Sequence, residues 1–272
     1  VFWRVPHLED EVAYLFQARI FARGEVVIDT PDPRNAFWQP FVVDSRETGH
    51  RFGKYTPGWP LLLSLGVRMG QVWLVNALLS ALTVALVYRI GREIYAHEVG
   101  VLAALLTAFS PAALLLNSSL MGHTAALFYA TLFIYAYWRL EHGRRRLKWG
   151  LVAGAALGLL AMTRPLTTLA IALPFVIWSG LRLAERLLSA MRQRGQWQHF
   201  WRNLAPLLLL SGVALSLVTT LPAFNYAATG DASQNLYELV WSYDKVGFGD
   251  CCGRSGHTLE KAFRHTRFDL SL

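Results

Sequence analysis

Three consecutive acids, Glu9, Asp10 and Glu11, open the stretch "EDEVAYLFQARIFARGE" at residues 9–25. Carboxylates in the first turn of a helix interact favourably with its dipole, which is one account of them. The other account is chemical: Asp10 or Glu11 is a candidate general base for an attacking hydroxyl. Lys54, just ahead of "YTPGWP", is either an interfacial lysine with a snorkelling stem or a cation for a lipid-linked phosphate. Arg164 is the only Asp, Glu, Lys or Arg between Trp149 and Leu181. Its flanking apolar runs reach only about 23 Å each as helix, short of a hydrocarbon thickness of about 30 Å. That sets Arg164 near the depth of lipid phosphates, and a charge inside a membrane segment is a functional candidate. The bland reading is contact with ordinary lipid. His123, at the head of another apolar run, and His257, in the last loop, are candidate substrate contacts, though a lone histidine is more often simply a satisfied polar residue.

That last loop, "YDKVGFGDCCGRSGHTLEK", gathers Asp250, Cys251, Cys252, Arg254 and His257. Cys-Cys-x4-His lacks the paired spacing of zinc modules, so no metal is expected there. Its glycines suit a loop that folds over a substrate. Cys251 and Cys252 are the chain's only cysteines, and neighbours are too close for a relaxed disulfide. No phosphate-cradling glycine motif and no serine elbow occurs, so nucleotide-driven chemistry is not expected.

The elements that must position these residues are membrane helices. Only 16% of the 272 residues are charged and 54% are hydrophobic, against roughly 25% charged in soluble domains. Apolar runs predict six spans, near 71–89, 98–117, 123–140, 148–163, 166–183 and 204–223, with Ser110-Pro111 interrupting the second. The fold class expected is an all-α polytopic membrane protein with a small outer β-hairpin. The three connections after the first, third and fifth spans carry twelve basic residues, from Arg89 to Arg202; the alternating turns carry only Arg164. The positive-inside rule places the basic connections in the cytoplasm of a cell-membrane protein. Residues 1–70 then form an outer region, 71–223 the membrane bundle and 224–272 an outer loop, with His123 and Arg164 also outside. The net charge of +8 sits mainly between apolar spans, which argues against a nucleic-acid partner.

Within the outer region, residues 8–23 place Leu8, Val12, Leu15, Phe16 and Ile20 on one helical face, predicting an interfacial helix that stops at Gly24. "FWQPFVVDSRETGHRFGKY" predicts two short strands around a polar turn, and "TPGWPLLLSLG" returns the chain to the bilayer. The sequence begins at Val1 and ends in a loop-like segment, as expected for a piece of a longer protein.

The acid pair Asp10-Glu11, the segment "KYTPGWPLLLSLG" and the Thr-Arg-Pro of "ALGLLAMTRPLTTL" resemble the membrane glycosyltransferases of the GT-C superfamily. The likeness is to bacterial relatives of the protein mannosyltransferases and of the aminoarabinose lipid A transferase. It implies a sugar donor on a polyprenyl phosphate and inverting transfer to an acceptor hydroxyl on the outer face. It also implies Asp10 or Glu11 as base, with Lys54 and Arg164 on the leaving phosphate. Some superfamily members use a divalent metal, for which no ligand set stands out here. The chain departs from the pattern in lacking a first span before the acids and in following Lys54 with Tyr-Thr-Pro. Two other readings stand beside it: a non-catalytic membrane subunit that keeps the fold within a larger complex, and a transporter of a lipid-linked substrate. Convergence of Asp10, Glu11, Lys54 and Arg164 on one cavity discriminates among them.

Overall fold

A computed structural model describes residues 5–192 and 197–271. The chain opens with α1 (Glu9–Ala22), followed by β1 (Ile28–Asp29), β2 (Val42–Asp44) and β3 (His50–Gly53). The strands form one antiparallel sheet in the order β1-β3-β2. The predicted hairpin is β2–β3, with Val43 opposite Phe52 and Asp44 opposite Arg51. β1 adds an edge of two residues, too short to give a sequence period.

Helix α1 is fastened to this sheet by polar bonds. Gln17 Nε2 donates to the Val26 carbonyl at 2.9 Å, and its Oε1 accepts from the Gly53 amide at 2.9 Å. The face that α1 buries is accordingly Glu11, Ala13, Gln17, Ala18 and Ile20. This corrects the expected stripe, of which Leu8 is half exposed and only Ile20 is buried. Small and amide-bearing residues let α1 approach its neighbours closely, which an apolar period does not reveal. At the far end, Arg68 of α2 (Gly58–Arg68) donates to the Ala22 and Phe21 carbonyls, satisfying the last turn of α1.

The bundle follows: α3 (Leu74–Ile94), α4 (His97–Ala108), α5 (Pro111–Asn117), α6 (His123–His142), α7 (Arg146–Thr163), α8 (Pro165–Arg192), α9 (Trp197–Val218) and α10 (Thr220–Thr229). A last helix, α11 (Leu259–Asp269), lies beyond a long loop. Among the described residues, three helices are long and apolar enough to cross a membrane: Leu74–Ile94, Pro165–Arg192 and Trp197–Thr229, the last running through α9 and α10. The pair α4–α5, bent by 58° at Ser110-Pro111, makes a fourth if it is one span. Proline cannot continue the ladder, and Ser110 Oγ accepts the Ala113 amide to restart it.

Six spans are thus not reached by length and apolarity. Helices α6 and α7 occupy two of the expected places but are more polar, with Tyr129, Tyr135 and Tyr137 in α6 and Arg146 and Lys148 in the first turn of α7. Both are interior helices, and a helix surrounded by protein needs less apolar surface than one facing lipid. The tightest packing is between α7 and α9. A Cβ on Gly150 or Gly154 would stand 2.6 or 2.5 Å from the Pro206 or Leu210 carbonyl oxygen, and one on Gly158 2.7 Å from Leu217 Cβ. This four-residue glycine spacing lets the two backbones touch.

Candidate functional site

One end of the bundle meets the sheet around a cavity of about 620 Å³. Its walls come from α1 (Asp10, Tyr14), the β3–α2 connection (Lys54, Tyr55, Thr56), the α5–α6 and α7–α8 turns (His123, Arg164), α10 (Asn225) and the loop after it (Asn235, Tyr237, Asp244). Four predicted site residues, Asp10, Lys54, His123 and Arg164, therefore share one cavity.

The two acids of α1 separate, because successive helical residues point about 100° apart. Asp10 is half-buried and faces the cavity, where its carboxylate accepts the Tyr55 hydroxyl. The Tyr55 ring rests on Tyr14, centroids 4.5 Å apart. Glu11 points the other way and is buried. Its Oε2 accepts the His7 and Leu8 amides at 2.7 and 3.4 Å, closing the N-terminus of α1, and its Oε1 accepts the buried Leu120 amide at 2.9 Å.

That last bond is one of several that fix residues 119–122. Trp59 Nε1 donates to the Leu120 carbonyl at 2.8 Å, and Asn76 Nδ2 to the Ser119 and Met121 carbonyls at 2.6 and 3.2 Å. A loop in a bundle needs such partners, since its backbone groups have no ladder. The loop delivers His123, the first residue of α6, whose Nδ1 is buried with no partner among the described residues.

Arg164 ends α7, its amide donating to the Leu160 carbonyl at 2.7 Å. Pro165 then starts α8, and Thr168 donates back to the Arg164 carbonyl through both its amide and its hydroxyl at 3.1 Å. The turn is clasped from outside. Thr56 Oγ1 donates to the Thr163 carbonyl at 3.0 Å, and a Cβ on Gly58 would lie 2.6 Å from Met162. "TPG" and "TRP" therefore fit against each other. The Arg164 guanidinium is exposed at the cavity, and no hydrogen bond or ion pair engages it among the described residues.

Lys54 is the opposite case, a buried cation already surrounded. Its Nζ lies 3.8 Å from Asp244 Oδ2 and 4.1, 4.5, 5.0 and 5.2 Å from the ring centres of Phe41, Trp241, Tyr237 and Tyr55. Burial pulls its ammonium below the ordinary lysine range, and the Asp244 and Asp10 carboxylates partly offset that. Burial, with Asp244 and Asp10 adding, pushes the Tyr237 phenol up to about 12, while Arg164 acts in the other direction.

His257 lies away from the cavity. It exchanges two backbone hydrogen bonds with Gly249 and sets its ring against Phe248. Among the described residues, no group of three or more His, Cys, Asp or Glu is close enough to hold a metal. Sequence reasoning passed over Tyr14, Tyr55, Tyr237 and Asp244. Tyr55 adjoins Lys54 and was within reach. Tyr237 and Asp244 sit in an irregular loop with no period to mark them.

Apolar helices of this length define a multi-pass membrane protein. The model of the dolichyl-phosphate-mannose-protein mannosyltransferase family matches residues 59–193. That match, over about half of the chain, supports a PMT-like membrane glycosyltransferase of the GT-C superfamily. The match contains His123 and Arg164; Asp10, Glu11, Lys54 and His257 lie outside it. No curated protein and no solved structure matches the chain.

Proposed function

We propose that this protein transfers a sugar from a polyprenyl-phosphate carrier to an acceptor hydroxyl, with inversion, in the cavity described above. The observation that carries the reading is that Asp10 and the guanidinium of Arg164, unpaired among the described residues, face the same cavity. The acceptor oxygen attacks the anomeric carbon as the bond from that carbon to the phosphate oxygen breaks. Asp10 takes the acceptor's proton, and the lipid phosphate leaves with the bonding pair. Tyr55 holds the Asp10 carboxylate in place. A general base in reach of its proton contributes about 10²–10⁴ in rate.

Arg164 meets the leaving phosphate with donors that no described residue occupies, an arrangement suited to developing negative charge. Lys54 contributes positive potential and reaches a phosphate directly only if Asp244 is displaced. The isoprenoid tail would leave the cavity toward the lipid-facing side of α8, where Leu166, Leu169 and Leu173 are exposed. The cavity lies at the α5–α6 and α7–α8 turns and beside α10, at the end of the bundle opposite the basic connections. By the positive-inside rule that is the outer face of the cell membrane. Convergence of base and cation favours this reading over a non-catalytic subunit or a transporter.

The test uses membranes holding the full protein and a set of polyprenyl-phosphate sugars. Asp10→Asn should lower transfer about 100-fold or more, with the protein still folded. Transfer at the parent rate by Asp10→Asn would remove the assignment of the base.

A further inference from the structure

The loop that closes the cavity continues directly into the chain's only two cysteines. Asp244 and Val246 line the cavity, and Cys251 and Cys252 follow within six residues of Val246. Both thiols are free, with their Sγ atoms 2.7 Å apart. Cys251 is exposed and Cys252 is buried beneath Gly247, where an added Cβ would lie 3.4 Å from the Cys252 sulfur. An exposed thiol thus sits against a sheltered one, and no third cysteine competes for either.

We propose that Cys251 and Cys252 form a reversible dithiol–disulfide site that accepts oxidising equivalents from a small-molecule or protein disulfide. The Cys251 thiolate attacks one sulfur of the oxidant, giving a mixed disulfide and releasing one thiol. Cys252 loses its proton and attacks the Cys251 sulfur, closing the ring and releasing the second thiol. Two protein thiols and one disulfide become one protein disulfide and two thiols, so electrons and protons balance.

The ring is suited to a switch rather than a staple. Adjacent α-carbons stand about 3.8 Å apart across a trans peptide, below the usual disulfide range of about 4.4–6.8 Å. Such a bond is strained, and strained disulfides are the readily reduced ones. The surrounding backbone is rich in glycine. Gly247, Gly249, Gly253 and Gly256 all have positive φ, conformations that other residues rarely adopt. The pair is also wired toward the cavity: the Gly253 amide donates to the Tyr243 carbonyl at 2.8 Å, beside Asp244. This site is independent of the transferase reading, since it depends only on the two thiols and their loop.

The test treats the full protein in membranes with oxidised glutathione, blocks residual thiols by alkylation, and weighs the tryptic peptide "VGFGDCCGR" (246–254). The expected product has lost two hydrogens, carries neither alkyl group nor glutathione, and returns to the alkylatable form with dithiothreitol. A trivalent aryl arsenical should protect the reduced pair from alkylation and leave the oxidised pair untouched. Cys251→Ser and Cys252→Ser should each end as glutathione adducts or stay alkylatable. A wild-type peptide that keeps glutathione, links to a second chain, or remains alkylated on both cysteines would overturn the proposal.

Discussion

Neighbouring acids acquire different tasks because a helix turns them apart. Asp10 faces the cavity and accepts the Tyr55 hydroxyl, whereas Glu11 holds three backbone amides, including the buried one of Leu120. The composition of "EDE" announces acids at a helix start, but which of them looks inward depends on the angle at which α1 lies on α2. Two variants should therefore behave oppositely. Glu11→Ala leaves a buried N–H unpaired and should lower stability by about 1–3 kcal/mol, read as a lower melting temperature in detergent. Asp10→Asn should melt near the parent and fail in transfer instead. A second expectation concerns Tyr237, whose phenol is pushed up to about 12 by burial and by Asp244. In the unfolded chain it loses its proton near pH 10, while the folded form keeps it to about 12. Between those values the unfolded state binds fewer protons, so the contribution of Tyr237 makes the fold less stable as pH rises, and it is pH-independent below that window. Tyrosinate absorbance should show a late-titrating group that Tyr237→Phe removes.

Elements were legible where a period or a breaker marks them. Ser110-Pro111 gave the bend between α4 and α5, and the alternation in "FVVDSRETGHRFG" gave β2–β3. The Thr-Arg-Pro turn was visible too, but not its clasp by Thr56 and Gly58, since nothing local in "YTPGW" says what it touches. The loop 235–246 was least legible: its shape is set by distant partners, Lys54 above all, rather than by propensity. The α7–α9 contact rests on glycines whose spacing is readable in "WGLVAGAALG" but whose partner is not. Gly154→Val should test it. The added carbon would stand 2.5 Å from the Leu210 carbonyl oxygen, a backbone atom that cannot swing aside. Overpacking of that kind costs about 1–3 kcal/mol. Gly180→Ala, where a Cβ meets nothing within 4 Å, should be neutral. Melting of the two variants in detergent separates a specific α7–α9 contact from a general intolerance of side chains in the bundle.

For the whole molecule, the chemistry depends on which face of the bilayer the cavity opens to. Successive helices reverse direction, so the turns bearing His123 and Arg164 meet at one end while the basic connections gather at the other. At that other end the charges are partly tied together: Arg139 pairs with Glu93 at 2.9 Å, and Arg146 lies 3.8 Å from Glu141. Two partly exposed pairs leave most of the positive charge at that end uncompensated. Under the proposed topology that surplus sets the orientation, because arginine and lysine in short connections resist translocation. The proposed reaction then needs Ala232, in the loop beside the cavity, outside the cell and Arg144, between α6 and α7, inside it. In a background with both native cysteines replaced by serine, Ala232→Cys should react with a membrane-impermeant maleimide in intact cells. Arg144→Cys should react only after the membrane is opened. Both positions are solvent-exposed in the fold, so unequal labelling would report the membrane rather than burial. Reversed labelling would put Asp10 and Arg164 on the cytoplasmic side, and a donor presented at the outer leaflet could then not reach them.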